Sequence, residues 1–308
     1  MRQFIETHFG LVLLISCVVG LFAPSLSDVP DISASVALSM LTYASCFKLR
    51  DGGFAEIRWG NIALFYALRY VLLPVILLFL AQVISPTYAA GIFLLALVPT
   101  AVSSPAFANM FGGKVPPAFA IVIISTTLAP FLIPMQCAFW LHDLNIAPTP
   151  MPLFRTLAFC VFTPMVAYFF TRKIQKLGTL MYNNVKIISI VLVAFVIALV
   201  IAKQREFILA HTEQLATPVA LTLICYVIFL SVGWWFGKSQ GREAQISIAT
   251  CSGFNNVALG VSIALLHFPQ SVIVFVAVSE MAWAMLPIMF RNLFLRKLRL
   301  PASNLRQR

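Results

Sequence analysis

Hydrophobic positions form long continuous runs along the chain, and short polar or Pro- and Gly-containing segments separate these runs. Each run approaches the ~20 apolar residues that an α-helix needs to cross the hydrocarbon core of a bilayer. The pattern predicts an all-α integral membrane protein with ten transmembrane helices. The spans are expected near residues 9–23, 31–47, 60–84, 89–111, 115–141, 153–171, 184–202, 215–237, 244–267 and 269–290.

The composition excludes an ordinary soluble protein. Of the 308 residues, 61% are hydrophobic and 10% are charged, whereas about 25% are charged in typical soluble domains. Ten spans with short connections use nearly the whole chain, so we expect no separate soluble domain. The run from Phe9 to Ala23 could be a signal peptide, but Glu6 spoils the basic leader and no convincing small-residue cleavage site follows. We expect this run to be the first span.

The distribution of charge predicts the orientation. The net charge of +11 would indicate a nucleic-acid partner in a soluble protein, but most of the basic residues fall on one side of the predicted spans. Cytoplasmic loops are enriched in Lys and Arg, so we expect a multi-pass cell-membrane protein with both termini in the cytoplasm and no nucleic-acid partner. The basic residues on the cytoplasmic side are Arg2, Lys48, Arg50, Arg58, Lys114, Arg172, Lys173, Lys176, Lys186, Lys238, Arg242, Arg291, Arg296, Lys297, Arg299, Arg306 and Arg308.

Two apolar runs contain polar interruptions where a continuous helix would lose backbone hydrogen bonds. In the fourth run, Pro99 and Pro105 surround the small polar stretch of residues 100–104. In the ninth run, residues 251–256 read Cys-Ser-Gly-Phe-Asn-Asn. We expect both helices to be broken at these places, although polar residues can also act simply as glue between packed membrane helices.

The two interruptions occupy matching positions, the fourth of the first five spans and the fourth of the last five. Because five is an odd number of spans, the second half is expected to have the inverted topology. The prediction is therefore a first five-helix repeat over residues 1–147 and an inverted second repeat over residues 148–308. Interrupted helices in corresponding places of two repeats indicate the substrate site of a secondary transporter.

These segments resemble the bile acid:sodium symporter family. The similar features are residues 99–113, the motif Ser-Thr-Thr-Leu-Ala-Pro-Phe-Leu-Ile-Pro over residues 125–134, Arg-Tyr-Val-Leu-Leu-Pro over residues 69–74, and residues 253–259. The resemblance implies ten helices in two inverted repeats, with helices four and nine broken and crossing in a core domain that moves against a panel domain. It also implies transport of organic anions such as bile acids, sulfated steroids and small carboxylates.

The chain departs from the family at the places that coordinate sodium. The resemblance implies a glutamate, a glutamine and a second glutamine where this chain has Cys251, Asn255 and Arg69. The family's Ser-Asn pair and later hydroxyl ligands match Ser104-Pro105, Ala118 and Val122, so that Ser104 alone keeps a side-chain ligand. Sodium prefers hard oxygen donors, and a guanidinium repels a cation. We therefore do not expect ordinary two-sodium coupling; the ion-coupling candidates are Glu280, Ser104, Cys251 and Asn255.

Arg69 and Glu280 are expected deep within their predicted spans, where charge is costly and typically functional. Arg69 could donate to a substrate carboxylate or sulfate, form a structural salt bridge, or extend along its stem to the interface. Glu280 is the only carboxylate that we expect at mid-membrane depth. It could pair with Arg69, titrate as a proton-coupling group, or cap a packed helix interface.

The polar residues at the two breaks complete the candidate substrate site. Asn255 and Asn256 offer amide donors and acceptors, and Thr100, Ser103 and Ser104 offer hydroxyls in the matching break. Packing between helices is the alternative role for all of them. The predicted substrate-binding residues are Arg69, Ser103, Ser104, Asn255, Asn256 and Glu280.

The remaining residues do not form a catalytic or metal-binding pattern. All six cysteines lie inside apolar runs, the histidines lie at span ends or in loops, and neither type has metal-ligand spacing. An intramembrane enzyme would need an acid, base or metal cluster at membrane depth, where we expect only one carboxylate. We therefore expect no enzymatic activity, cofactor or metal.

The sequence thus predicts a secondary transporter of a small or amphipathic organic anion that works by alternating access. Two alternatives stay open at this point. One is a ten-span carrier of the drug/metabolite type, which is also built from inverted five-span repeats. The other is a receptor or scaffold that keeps a transporter-like fold without transport.

Overall fold

The computed structural model describes residues 9–30, 32–47, 59–142, 146–203, 205–210 and 215–295. The regular elements of these segments are helices, as the apolar runs predict. In chain order, the main helices are α1 (Phe9–Phe22), α2 (Ile32–Cys46), α3 (Trp59–Ile84), α4a (Ala89–Leu97), α4b (Ser104–Met110), α5 (Val115–Trp140), α6 (Pro150–Thr171), α7 (Gln175–Lys203), α8 (Ala216–Gly237), α9a (Arg242–Gly253), α9b (Val257–His267) and α10 (Gln270–Phe290).

Several of these helices are long and apolar enough to cross a bilayer. Within the described residues there are 4 continuous candidates, and the number rises to 6 if each of two bent helix pairs counts as one span. Shorter apolar helices of 10–17 residues lie at Ile32–Ala44, Pro86–Leu97 and Val257–His267. The chain is therefore a multi-pass, all-helical membrane protein. The residues at both termini, on which the predicted orientation depends, lie outside the described segments.

The seventh helix differs from its predicted span. It begins at Gln175, whereas the hydrophobic run predicted a start near residue 184, and it bends by 62° between Gln175–Val185 and Ile187–Lys203. The hydropathy pattern marks where a helix becomes apolar, and polar residues such as Asn183 and Asn184 can continue the same helix outside the apolar zone. The helix therefore begins about two and a half turns before the predicted span, whereas its straight segment Ile187–Lys203 coincides with that span.

The helices form two packed groups. In one group, α7 packs against α1 and α2, and α2 packs against α6; the other group contains α3, α4a, α4b, α5, α8, α9a, α9b and α10. The groups contact each other mainly through three helices of the second group. Helix α5 contacts α6, and α10 contacts α1 and α7. Helix α9b contacts α2, α6 and α7. Both interrupted helices belong to the second group, and α9b and α10 are at its boundary with the first.

Candidate functional site

Both predicted helix interruptions are present. The fourth helix is interrupted at residues 98–103, between α4a and α4b, and the ninth at residues 254–256, between α9a and α9b. In the fourth helix, the backbone turns away from helical geometry at Val98, immediately before Pro99. A proline lacks the N–H that a helix interior needs and disfavours the helical conformation of the residue before it.

The two breaks contact each other through their backbones. The Asn256 N–H donates to the Pro99 carbonyl at 2.7 Å, and the Ala101 N–H donates to the Phe254 carbonyl at 2.7 Å. Thr100 and Asn255 form an isolated antiparallel β-bridge between them. Backbone groups that leave a helix inside a bilayer need protein partners, and here each break supplies partners for the other.

Arg69 lies at this contact and is fully buried. Its Nε donates to the Ser252 carbonyl at 2.9 Å and its Nη1 donates to the Ala96 carbonyl at 2.8 Å. Its Nη2 donates to Asn255 Oδ1 at 3.0 Å. The guanidinium carbon lies 4.0 Å from the centre of the Phe229 ring, in cation–π geometry. The prediction that Arg69 lies close to the break in the ninth helix is confirmed.

A local widening of α3 surrounds Arg69. Residues Ala67–Leu72 form a π-helical turn just before Pro74. Pro74 cannot donate to the Tyr70 carbonyl four residues earlier, and the Gln136 Nε2 of α5 donates to that carbonyl instead, at 2.8 Å. π-Bulges are frequent at functional sites, and both prolines and π-bulges can kink a helix.

The two asparagines of the break have different roles. Asn255 accepts from Arg69 and also donates from Nδ2 to the Leu95 carbonyl at 2.8 Å, so it connects α3, α4a and the second break. Asn256 is the N-cap of α9b, where its Oδ1 accepts from the Leu259 N–H at 3.3 Å. The second amide therefore stabilises one helix end rather than the crossing itself.

A buried layer of hydroxyl groups lies beside the guanidinium. The Thr100 hydroxyl is hydrogen-bonded to the Tyr70 hydroxyl and also donates to the Cys251 carbonyl at 2.9 Å. Ser125 Oγ of α5 accepts from the Thr100 N–H at 3.3 Å. Tyr70 and Ser125 were not among the predicted site residues, although both stand in the motifs that carry the family resemblance. Tyr70 follows Arg69 directly, and an aromatic hydroxyl beside an intramembrane arginine was a usable signal.

The predicted residues therefore separate into three places. Ser104 is buried at the crossing, where its hydroxyl donates to the Phe254 carbonyl at 3.2 Å, close to the partners of Arg69 and Asn255. Ser103 is exposed at the start of α4b. Glu280 lies on α10, apart from the crossing.

The places that match sodium ligands in the resembling family are apolar or already bonded here. Ala118 and Val122 of α5 are buried and carry no side-chain oxygen. The Cys251 thiol is also buried, and its Sγ lies 3.7 Å from the Ala118 carbonyl. A soft thiol and two aliphatic side chains are poor ligands for a hard cation.

Glu280 faces the boundary between the two helix groups. Its side chain is buried and borders a small void with Val196 and Val200 of α7 and Val261 of α9b. The Tyr226 hydroxyl of α8 donates to the carbonyl of the preceding residue, Ser279, at 3.3 Å. Among the described residues Glu280 forms no ion pair with Arg69, contrary to one of its predicted roles. Instead, three of the five guanidinium N–H groups donate to the Ser252 and Ala96 carbonyls and to Asn255.

A larger cavity of about 310 Å³ lies elsewhere in the second group. It opens where α3, α5 and α9a begin, on the side that the charge pattern predicts to be cytoplasmic. None of the predicted site residues lines it. Its polar lining residues are Asn61, Lys114, Ser239 and Gln240.

The close packing of α8 on α9a supports the Ser252 carbonyl that accepts from Arg69. A Cβ added at Gly233 of α8 would lie 2.5 Å from the Ser252 Cβ and 2.8 Å from the Ile248 carbonyl oxygen. We expect Gly233→Ala to lower the free energy of unfolding by about 1–3 kcal/mol, because the backbones must separate. Gly60→Ala is the matched control, since nothing lies within 4 Å of its added Cβ. Thermal unfolding in detergent measures both, and equal stability of the two variants would contradict the packing account.

Interrupted membrane helices that meet at a polar, buried crossing are typical of secondary transporters. The model of the sodium bile acid symporter family matches residues 35–211, more than half of the chain. The chain belongs to this family, which is a family of membrane transporters.

Two curated relatives align with most of the chain. A sodium-dependent transporter of Bacillus subtilis, named YocS and described as uncharacterised, is 22% identical over 281 residues, which cover 86% of this chain and 84% of the relative. An uncharacterised protein of Pseudomonas aeruginosa, PA2026, is also 22% identical over 289 residues, which cover 88% of this chain and 86% of the relative. The family match sets aside the drug/metabolite-type alternative.

Proposed function

We propose that this protein is a secondary transporter of a small or amphipathic organic anion, that it works by alternating access, and that sodium does not drive it. The observation that carries this proposal is the backbone pairing of the two helix breaks around a fully buried arginine. Midplane crossings of this kind form the substrate sites of transporters. Family membership supports the transport of a small molecule.

The proposed topology has ten spans, with an inverted repeat over residues 1–147 and 148–308 and both termini in the cytoplasm of the cell membrane. The helix order supports it, because the interrupted helices are the fourth and the ninth of the series. In this topology, α4a and α4b together form the fourth span, and α9a and α9b together form the ninth. A criterion that requires one long continuous helix does not detect such broken spans.

The proposed movement is a displacement of the two helix groups against each other. Among the described residues, the polar contacts between the groups include Ser35 with Ser262 across α2 and α9b at 2.8 Å, and Thr156 with His267 across α6 and α9b at 2.8 Å. Neutral hydrogen bonds of this kind contribute only about 0.5–1.5 kcal/mol each, so exchanging them during a cycle is energetically accessible.

The substrate anion is proposed to bind beside the crossing. Arg69, Ser104 and Asn255 form the buried frame behind it, while Ser103 and Asn256 stand at the starts of α4b and α9b. The N-terminus of α9b carries a positive partial charge that favours an anion. Glu280, one helix away at the group boundary, is the proposed coupling residue.

The test is counterflow uptake by purified protein in liposomes, with a bile acid, a sulfated steroid and a small carboxylate as labelled probes. We expect saturable uptake of at least one probe, and we expect the rate to stay the same when potassium replaces sodium on both sides of the membrane. Steep and saturable sodium dependence would contradict the absence of sodium coupling. Binding of a probe without any counterflow would instead support the receptor alternative, which the loss of ligand oxygens at Ala118 and Val122 favours.

A further inference from the structure

Two helix C-termini converge on the Arg69 guanidinium. Ala96 and Ser252 belong to the last turns of α4a and α9a, and their carbonyls both accept from the arginine. The carbonyls of a last helical turn lack partners within the helix. Each helix C-terminus also carries a negative partial charge of roughly half an elementary charge. Two such ends bring about one negative charge to the same buried place.

A single guanidinium compensates this charge. Arg69 is fully buried, and its remaining contacts are the amide oxygen of Asn255 and the aromatic rings of Phe229 and Tyr70. In the described segments no carboxylate forms an ion pair with it. A buried charge without a carboxylate must be balanced by dipoles, and here the dipoles are those of the two half-helices.

We propose that Arg69 is a tethered cation that does the work of a bound metal ion at the helix crossing. The surrounding groups are two main-chain carbonyls and one amide oxygen, a donor set that takes up alkali cations between broken transporter helices. Because the guanidinium is covalently attached, it neutralises both helix ends in every state of the protein. This inference rests on the proposed function in one respect, because in both proposals sodium has no role in the wild-type protein.

Removing the Arg69 guanidinium should leave a place that other cations can occupy. If Arg69→Gln removes the charge but leaves the Ala96 and Ser252 carbonyls and Asn255 in position, the variant acquires a cavity that is lined by oxygens and has negative potential. Such a cavity binds a small monovalent cation or a free guanidinium ion. Arg69→Lys keeps a charge with fewer and differently arranged donors, so it should retain more stability than Arg69→Gln.

The experiment measures thermal unfolding of purified protein in detergent, in sodium, potassium or choline chloride at equal ionic strength and with added low-millimolar guanidinium chloride. We expect the wild-type melting temperature to be the same in all of these salts. Arg69→Gln should melt about 5 °C or more below wild type, and sodium or guanidinium should raise its melting temperature saturably while choline does not. Arg155→Gln, at an exposed arginine of α6, should show neither the loss nor the rescue.

Three results would overturn the proposal. One is a saturable stabilisation of the wild-type protein by sodium, and another is an Arg69→Gln variant that is as stable as Arg69→Lys. The third is an Arg69→Gln variant that is destabilised but that neither sodium nor guanidinium rescues. Because the readout is stability rather than uptake, a failure of the transport proposal would leave these outcomes interpretable.

Discussion

Replacing Asn255 by alanine is expected to lower the free energy of unfolding by about 3 kcal/mol or more. The amide loses one hydrogen bond to a buried charge, at 3.0 Å from Arg69 Nη2, and one to the Leu95 carbonyl at 2.8 Å. A hydrogen bond to a charged group contributes about 1.5–3 kcal/mol, and a buried acceptor left without a partner costs about 1–3 kcal/mol. Both losses occur at the same crossing, so the effect on folding should be among the largest of any single polar substitution.

The neighbouring amide provides the matched control. Asn256→Ala removes only the N-cap of α9b, and such caps contribute about 1 kcal/mol. The measurement is thermal and denaturant unfolding of both variants in the same detergent. A double-mutant cycle between Asn255→Ala and Arg69→Gln should show coupling, because the two side chains share a bond. Equal losses for Asn255→Ala and Asn256→Ala, or additive effects in the cycle, would contradict the proposed crossing.

Replacing Glu280 by glutamine is expected to leave the protein folded but to abolish the response of uptake to a proton gradient. The carboxyl is buried between α10 and the valine side chains of α7 and α9b, and among the described residues it forms no ion pair. An isolated buried carboxylate is costly, and glutamine imitates the neutral form of the carboxyl. Transport that depends on charging this group in another conformation would be lost.

The measurement compares uptake driven by an inward proton gradient with counterflow at equal pH on both sides. Glu280→Gln should retain counterflow and lose gradient-driven accumulation. Among the described residues, the titratable groups near Glu280 include Cys17 of α1 and Tyr226 of α8, so Cys17→Ser and Tyr226→Phe should be tested alongside it. Glu243→Gln is the control, because Glu243 is an exposed carboxylate 4.0 Å from Lys114 Nζ. Unchanged gradient-driven accumulation in Glu280→Gln would remove Glu280 from coupling.

The helix breaks could be predicted from the sequence because their causes are local. Pro99 and Pro105 remove backbone donors, and the Gly-Phe-Asn-Asn segment places weak helix formers in an apolar run. Arg69 could be recognised for the same reason, since a charge within an apolar run needs compensation. The family resemblance then indicated that the two breaks would meet, and the backbone hydrogen bonds between them agree with this.

The partners of Arg69 could be predicted only in part, because most of them are backbone atoms. The sequence contains one carboxylate at the expected membrane depth, and charge pairing between Arg69 and Glu280 was the simplest interpretation of two intramembrane ions. The carbonyls of Ala96 and Ser252 have no signature in the sequence, because any residue type carries the same group. Their availability depends on where α4a and α9a end, which is the least predictable property of a helix.

The boundary of α7 was missed for a related reason. Hydropathy reports the apolar part of a helix, whereas backbone hydrogen bonding sets its ends. The differences from the family's sodium-coordinating residues were predicted from residue identity alone. The resulting loss of sodium coupling stays a prediction until transport is measured. The Cys251 thiol contacts the Ala118 carbonyl. Packing at this place therefore fills the space with soft and apolar atoms, which are poor ligands for sodium.

Binding of radioactive sodium to the purified wild-type protein directly tests whether Arg69 occupies the place of a cation at the helix crossing. We predict no saturable sodium binding by the wild-type protein and saturable binding by Arg69→Gln that excess unlabelled sodium displaces. Saturable sodium binding by the wild-type protein, unaffected by the Arg69 substitution, would contradict the account.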